Sequence, residues 1–108
     1  MRAYHFSEVP IVFGTYNSSV FPFAPTAAEV ALSSYMQTAW VAFARDPVNG
    51  LNSFGWPTYN PSTASLVELG GANPSGAVFS SSIPFDAGCS FTEQQLSLVE
   101  EAFALVGF

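Results

Sequence analysis

His5 is the one histidine in this chain and Cys89 the one cysteine. Imidazole exchanges protons near neutral pH without special tuning, so His5 is the first candidate for acid–base chemistry. As a general base it needs a nucleophile on one ring nitrogen and an orienting acceptor on the other. Glu8 follows three residues later. On a helix the two would share a face, which leaves a His–Glu dyad and an ordinary surface carboxylate as the two readings of Glu8. A cysteine hydrolase built on Cys89 and His5 would be a different class of enzyme, and neither arginine lies near Cys89 in sequence to lower its pKa. The unpaired cysteine is a free thiol, or half of a bridge whose other half lies elsewhere. One His and one Cys are too few for a metal centre. Gly70, Gly71 and Gly76 fit neither a phosphate loop nor a dinucleotide fingerprint, so no cofactor is expected. Asn17-Ser18-Ser19 is an open N-glycosylation triplet, whereas proline closes Asn60-Pro61-Ser62 and Asn73-Pro74-Ser75.

The elements that must carry these residues follow from periodicity and caps. Residues 1–14 read as a loop ending in a turn-like apolar run at Gly14, and 15–25 as a proline-broken loop. A long helix is expected over about 26–45. Thr26-Ala27-Ala28-Glu29 forms a capping box, Leu32, Met36, Ala39, Trp40 and Phe43 recur at helical spacing, and Asp46-Pro47 stops it. That stripe reads as core rather than as a ligand site. A small antiparallel hairpin is expected over about 65–80, from Ser65–Leu69 and Gly76–Ser80 around Gly70-Gly71. Thr92-Glu93-Gln94-Gln95 is a second capping signature, so a C-terminal helix is expected over about 92–106, with Leu96, Val99, Phe103 and Val106 on one face and Gly107 as its stop. In isolation the chain is therefore α+β.

Composition restricts the function further. Net charge is −6, with Arg2 and Arg45 as the only basic side chains besides His5, which argues against nucleic acid and anionic membranes as partners. No apolar run approaches the length of a spanning helix, and no signal peptide is visible. Charged residues are 9% of the chain and aromatics 16%, where soluble domains average roughly 25% charged. So much apolar surface on 108 residues favours a partial domain whose apolar faces meet a missing partner, and self-association through those faces when it is alone. The alternative is a compact Phe-rich core beneath a Ser/Thr/Asn surface.

The segment Ala3-Tyr4-His5-Phe6-Ser7-Glu8-Val9-Pro10-Ile11-Val12-Phe13-Gly14 resembles the catalytic-histidine segment of the type-B carboxylesterase/lipase family, the cholinesterase-like α/β-hydrolases. Further matches are Trp40-Val41-Ala42-Phe43-Ala44, Arg45-Asp46-Pro47, Trp56-Pro57-Thr58-Tyr59 and Asp86-Ala87-Gly88-Cys89. The resemblance covers most of 3–89. It implies that residues 1–108 are a single partial domain, the C-terminal portion of an α/β-hydrolase. It also implies a serine ester hydrolase acting on carboxylic esters through an acyl-enzyme, with His5 as the triad histidine and Glu8 a supporting carboxylate. Cys89 would pair with a cysteine upstream of the histidine, and a full-length form would be secreted.

In such folds the triad runs Ser, then Asp or Glu, then His. Residues 1–108 contain no G-x-S-x-G elbow, no oxyanion-hole glycine run and no acid in the expected place, and Ser18, Ser19 and Ser80–Ser82 lack the elbow context. Arg2 also departs from the small glycine that many members carry before the A-Y-H. The chain alone is therefore expected to be inactive. The reading from another class is a non-catalytic binding or structural module, or a truncated reading frame without function.

Overall fold

The computed structural model describes residues 5–19, 22 and 24–106. Six elements follow in order: α1 (Val9–Phe13), α2 (Ala27–Arg45), α3 (Gly50–Phe54), β1 (Leu66–Leu69), β2 (Ala77–Ser80) and α4 (Ile83–Val106). The strands form a two-stranded antiparallel hairpin with Leu66 opposite Ser80 and Leu69 opposite Ala77.

The architecture is organised around α2. Its N-terminus is closed by the Thr26–Glu29 box: the Glu29 amide donates to Thr26 Oγ1 at 3.2 Å and the Thr26 amide to Glu29 Oε2 at 2.7 Å. Two amides that the first turn leaves without helical partners are thereby satisfied. The bond from the Thr26 amide, and after it the bond from the Thr26 hydroxyl, hold the Glu29 carboxyl below its ordinary pKa. At the other end Asp46 leaves helical backbone, and its Oδ1 accepts from the amides of Asn49, at 2.9 Å, and Val48, at 3.1 Å. The Asn49 amide is the chief cause of the lowered Asp46 pKa.

That turn folds α3 back against α2. The close approach depends on Gly50, where a Cβ would collide with the Ala42 carbonyl. Gly55, in left-handed backbone at φ 105°, ends α3, and Trp56 then turns inward. Its indole N–H donates to the Tyr35 hydroxyl at 2.8 Å. Tyr35, Phe54, Trp40 and Trp56 form an aromatic cluster with ring centroids 5.1–6.4 Å apart, within the range for favourable tilted and edge-on pairs. The hairpin meets α2 at its turn, where a Cβ on Gly70 (φ 70°) would come to 2.7 Å from Leu32 Cδ2.

The apolar core is small. Among the described residues Leu32, Met36 and Ala39, all on α2, are its buried apolar side chains. Trp40 and Phe43, expected to continue the stripe into the core, are 45% and 50% exposed. Helical spacing places residues on one face, but it does not supply a partner for the whole face.

Three expected boundaries are corrected. The segment read as a loop and turn-like run contains α1, because Pro10 needs no amide partner in a first turn and Gly14 adopts the left-handed C-cap at φ 62°. A further short helix, α3, stands in the stretch after Pro47, where only loop and strand were expected. The C-terminal helix begins at Ile83, not near residue 92. Ser81 Oγ accepts from the Ile83 amide at 3.3 Å, and the Ser82 carbonyl accepts from the amides of Phe85 and Asp86 at 2.9 Å. Pro84 is tolerated in the first turn for the same reason as Pro10, and Asp86 suits the positive end of the helix dipole. Thr92-Glu93-Gln94-Gln95 consequently lies inside α4, and so does Asp86-Ala87-Gly88-Cys89. The expected stop at Gly107 lies outside the described residues.

α4 spans about 36 Å at 1.5 Å per residue and, among the described residues, makes no extensive contact with any other element. Ile83, Phe85, Leu96, Leu98 and Val99 are exposed along it. The consequence is visible in the whole chain. Its radius of gyration is 19.1 Å, against about 13 Å for a compact chain of this length. Its accessible surface is 8064 Å², against about 5,800 Å² for a compact monomer of this mass. Among the described residues no helix is long and apolar enough to cross a membrane.

Candidate active-site segment

The histidine segment is attached to α2 through α1. α1 is one turn of helix, so its C-terminal carbonyls have no following turn to bond with. The Ile11 carbonyl accepts from the Gly14 cap amide at 3.4 Å and, more closely, from Ser33 Oγ at 2.6 Å, a contact between residues 22 apart in sequence. Ser33 is only 2% exposed, and a buried hydroxyl is expected to be hydrogen-bonded. Gly14 lies over the same part of α2, where a Cβ would stand 3.0 Å from Gln37 Nε2. No short window of sequence marks Ser33 as the anchor of a segment 22 residues away.

His5 precedes α1 and is exposed, with its ring edge-on to Phe6 at a centroid distance of 5.4 Å. Phe6 has φ 75°, the left-handed region, in which a bulky side chain is a true outlier. Such backbone costs about 1–3 kcal/mol and persists only where the surroundings impose it. Here the chain reverses into α1, with the Val9 amide donating to the Phe6 carbonyl at 3.3 Å. Glu8 is the N-cap of α1, yet it caps with its backbone alone. Its carbonyl accepts from the amides of Ile11 at 3.0 Å and Val12 at 2.8 Å. Among the described residues neither the His5 imidazole nor the Glu8 carboxylate has a hydrogen-bond partner, so the structure does not pair them as a dyad. The Ala3-Tyr4 half of the motif lies outside the described residues.

The other sequence candidates stand apart from His5. Cys89 is a free, exposed cysteine on α4, and among the described residues α4 makes no extensive contact with α1 or α2. Asn17 is exposed in the turn after α1 with φ 59°. Among the described residues no group of three or more His, Cys, Asp or Glu is arranged to hold a metal ion. An open cleft of about 320 Å³ lies between the α3 turn and the hairpin, lined by Val48, Leu51, Trp56, Tyr59, Leu66 and Phe79 among others. It borders neither His5 nor Glu8. What the described residues assemble around His5 is an exposed imidazole on an anchored turn, without a nucleophile or an orienting acid.

Over 82 residues the chain is 40% identical to Secreted lipase 5 of Gibberella zeae. The matched stretch is 74% of this chain and 15% of that lipase, so the chain spans a small part of the relative's length. The chain thus has a lipase-like relationship over a partial region. No family profile matches the chain, and no solved structure does.

Proposed function

We propose that these residues are the histidine-bearing part of a lipase-like serine ester hydrolase of the type-B carboxylesterase kind, with the α/β-hydrolase fold in its complete form. The observation that carries the reading is the 40% identity to a secreted lipase, together with the A-Y-H-x-S-E-x-P-x-V-F-G segment at its start. The exposed apolar surface supports it, since Trp40, Phe43 and, on α4, Ile83, Phe85, Leu96, Leu98 and Val99 stand open to a further layer of structure.

In this reading His5 takes the proton of a serine hydroxyl as it attacks the ester carbonyl, and returns it to the departing alcohol. Glu8 supports the segment beside it rather than completing the triad. The nucleophile, the triad acid and the oxyanion donors come from the rest of the hydrolase. Since oxyanion donors supply a large share of catalysis in acyl transfer, residues 1–108 alone turn over no ester. The complete protein is secreted, and Cys89 pairs there with a cysteine outside this chain. Without that remainder the apolar faces of α2 and α4 drive self-association.

The test is a chimaera. Residues 1–108 replace the matching segment of the Gibberella zeae lipase, and hydrolysis of a short-chain aryl ester is measured. His5→Ala is expected to lower kcat by several orders of magnitude while the chimaera still folds. An active chimaera indifferent to His5→Ala overturns the assignment.

A further inference from the structure

Of the three Asn-x-Ser triplets in the chain, two are closed by Pro61 and Pro74, and the structure shows their carboxamides already in use. Asn60 Oδ1 accepts from the Ser62 amide at 2.9 Å, and Asn73 Oδ1 from the Ser75 amide at 3.2 Å. Asn17 differs on each count. No proline follows it, its side chain is exposed, and its carboxamide takes part in no hydrogen bond among the described residues. Its backbone is left-handed at φ 59°, a conformation that asparagine tolerates far better than other side chains. It projects from a turn between α1 and the start of α2 rather than from a regular element. Ser19, the hydroxyl residue of the triplet, is exposed as well.

We propose that Asn17 is an N-glycosylation site. The donor is a lipid-linked oligosaccharide diphosphate. A bond forms between Asn17 Nδ2 and C1 of the first sugar, and the C1–oxygen bond to the lipid diphosphate breaks. The carboxamide gives up a proton and the lipid diphosphate leaves. The turn presents the carboxamide to solvent, since the Asn17 side chain is exposed. A polar glycan here also adds hydrated surface near Phe13, which is 70% exposed four residues earlier. The inference rests on the proposed secreted hydrolase in one respect only, the passage of the chain through a secretory compartment.

The experiment supplies that passage itself, so its failure and the failure of the hydrolase reading are distinguishable. The full chain is translated behind a cleavable leader in the presence of microsomes, and its electrophoretic mobility is compared before and after digestion with an N-glycan amidase. The chain is expected to show one glycan, retained in Ser19→Thr and lost in both Asn17→Gln and Ser19→Ala. The glycosylated and digested forms are expected to give the same helical far-ultraviolet circular dichroism. An unshifted chain, beside a control protein that is shifted in the same reaction, overturns the proposal. So does a shift that survives Asn17→Gln, or a loss of helical signal in the glycosylated form.

Discussion

Residues 9–80 and residues 83–106 are both rich in apolar side chains, but they dispose of them differently. In the first region α1 and α3 are short helices that fold back on α2, and the hairpin turn touches Leu32. Each contact is licensed by one small residue: Ser33 holds α1, Gly50 lets α3 approach, and Gly70 lets the hairpin approach. In the second region α4 is longer than α2, 24 residues against 19, and makes no extensive contact with another element. Length and amphipathic spacing make a helix, whereas packing requires a partner surface within reach, and α4 has none among the described residues.

Substitutions can break this contrast. Met36→Ala removes a large side chain from the small core and is expected to destabilise the α1–α3 unit by about 2–5 kcal/mol. Loss of the cooperative part of a thermal melt, followed by far-ultraviolet circular dichroism, reads this effect. Next in size, Ser33→Ala removes the hydroxyl donor and leaves the Ile11 carbonyl with the 3.4 Å bond from the Gly14 amide alone, at about 0.5–1.5 kcal/mol for one lost hydrogen bond. Hydrogen exchange is expected to show faster opening of the amides of α1 while those of α4 are unchanged.

The cap of α2 adds a pH dependence with a definite sign. Glu29 has its folded-state pKa lowered by the Thr26 amide and hydroxyl. Its stabilisation is complete above the unfolded value and is lost as pH falls through the folded one. Helix content should therefore fall on acidification. Thr26→Ala is expected to cost about 1 kcal/mol at neutral pH and to flatten that acid-side loss. The smallest effect belongs to α4. Leu96→Ser with Val99→Ser, two exposed positions on one turn, is expected to change the melt by less than about 0.5 kcal/mol. The same pair should reduce self-association in analytical ultracentrifugation. A large stability loss from it would mean that α4 has a packed face.

Where function could be seen early, the signal was local. The Thr26–Glu29 box, the Asp46-Pro47 stop and the Gly70-Gly71 turn are short-range features, and the observed α2 and hairpin stand where those features put them. The missed elements, α1 and α3, are single turns whose contacts with α2, through the Ser33 hydroxyl and over the bare Gly50 backbone, arise only as the chain folds back on itself. The expected start of α4 near residue 92 rested on the Thr92-Glu93-Gln94-Gln95 capping signature, whereas the helix begins at Ile83 with Pro84 in its first turn, where a proline costs no hydrogen bond. The histidine segment was legible as a motif, and the lipase relationship accords with it at the coarse level. Its anchoring to α2 and the outlying backbone of Phe6 were not legible, since both depend on how the segment closes in space.

The central claim is that these residues contribute a histidine and not a complete catalytic centre. The most direct measurement is hydrolysis of a short-chain aryl ester by the purified 108-residue chain beside its His5→Ala variant. The account predicts the same background rate for both. Turnover that co-purifies with the chain and disappears in His5→Ala would contradict it.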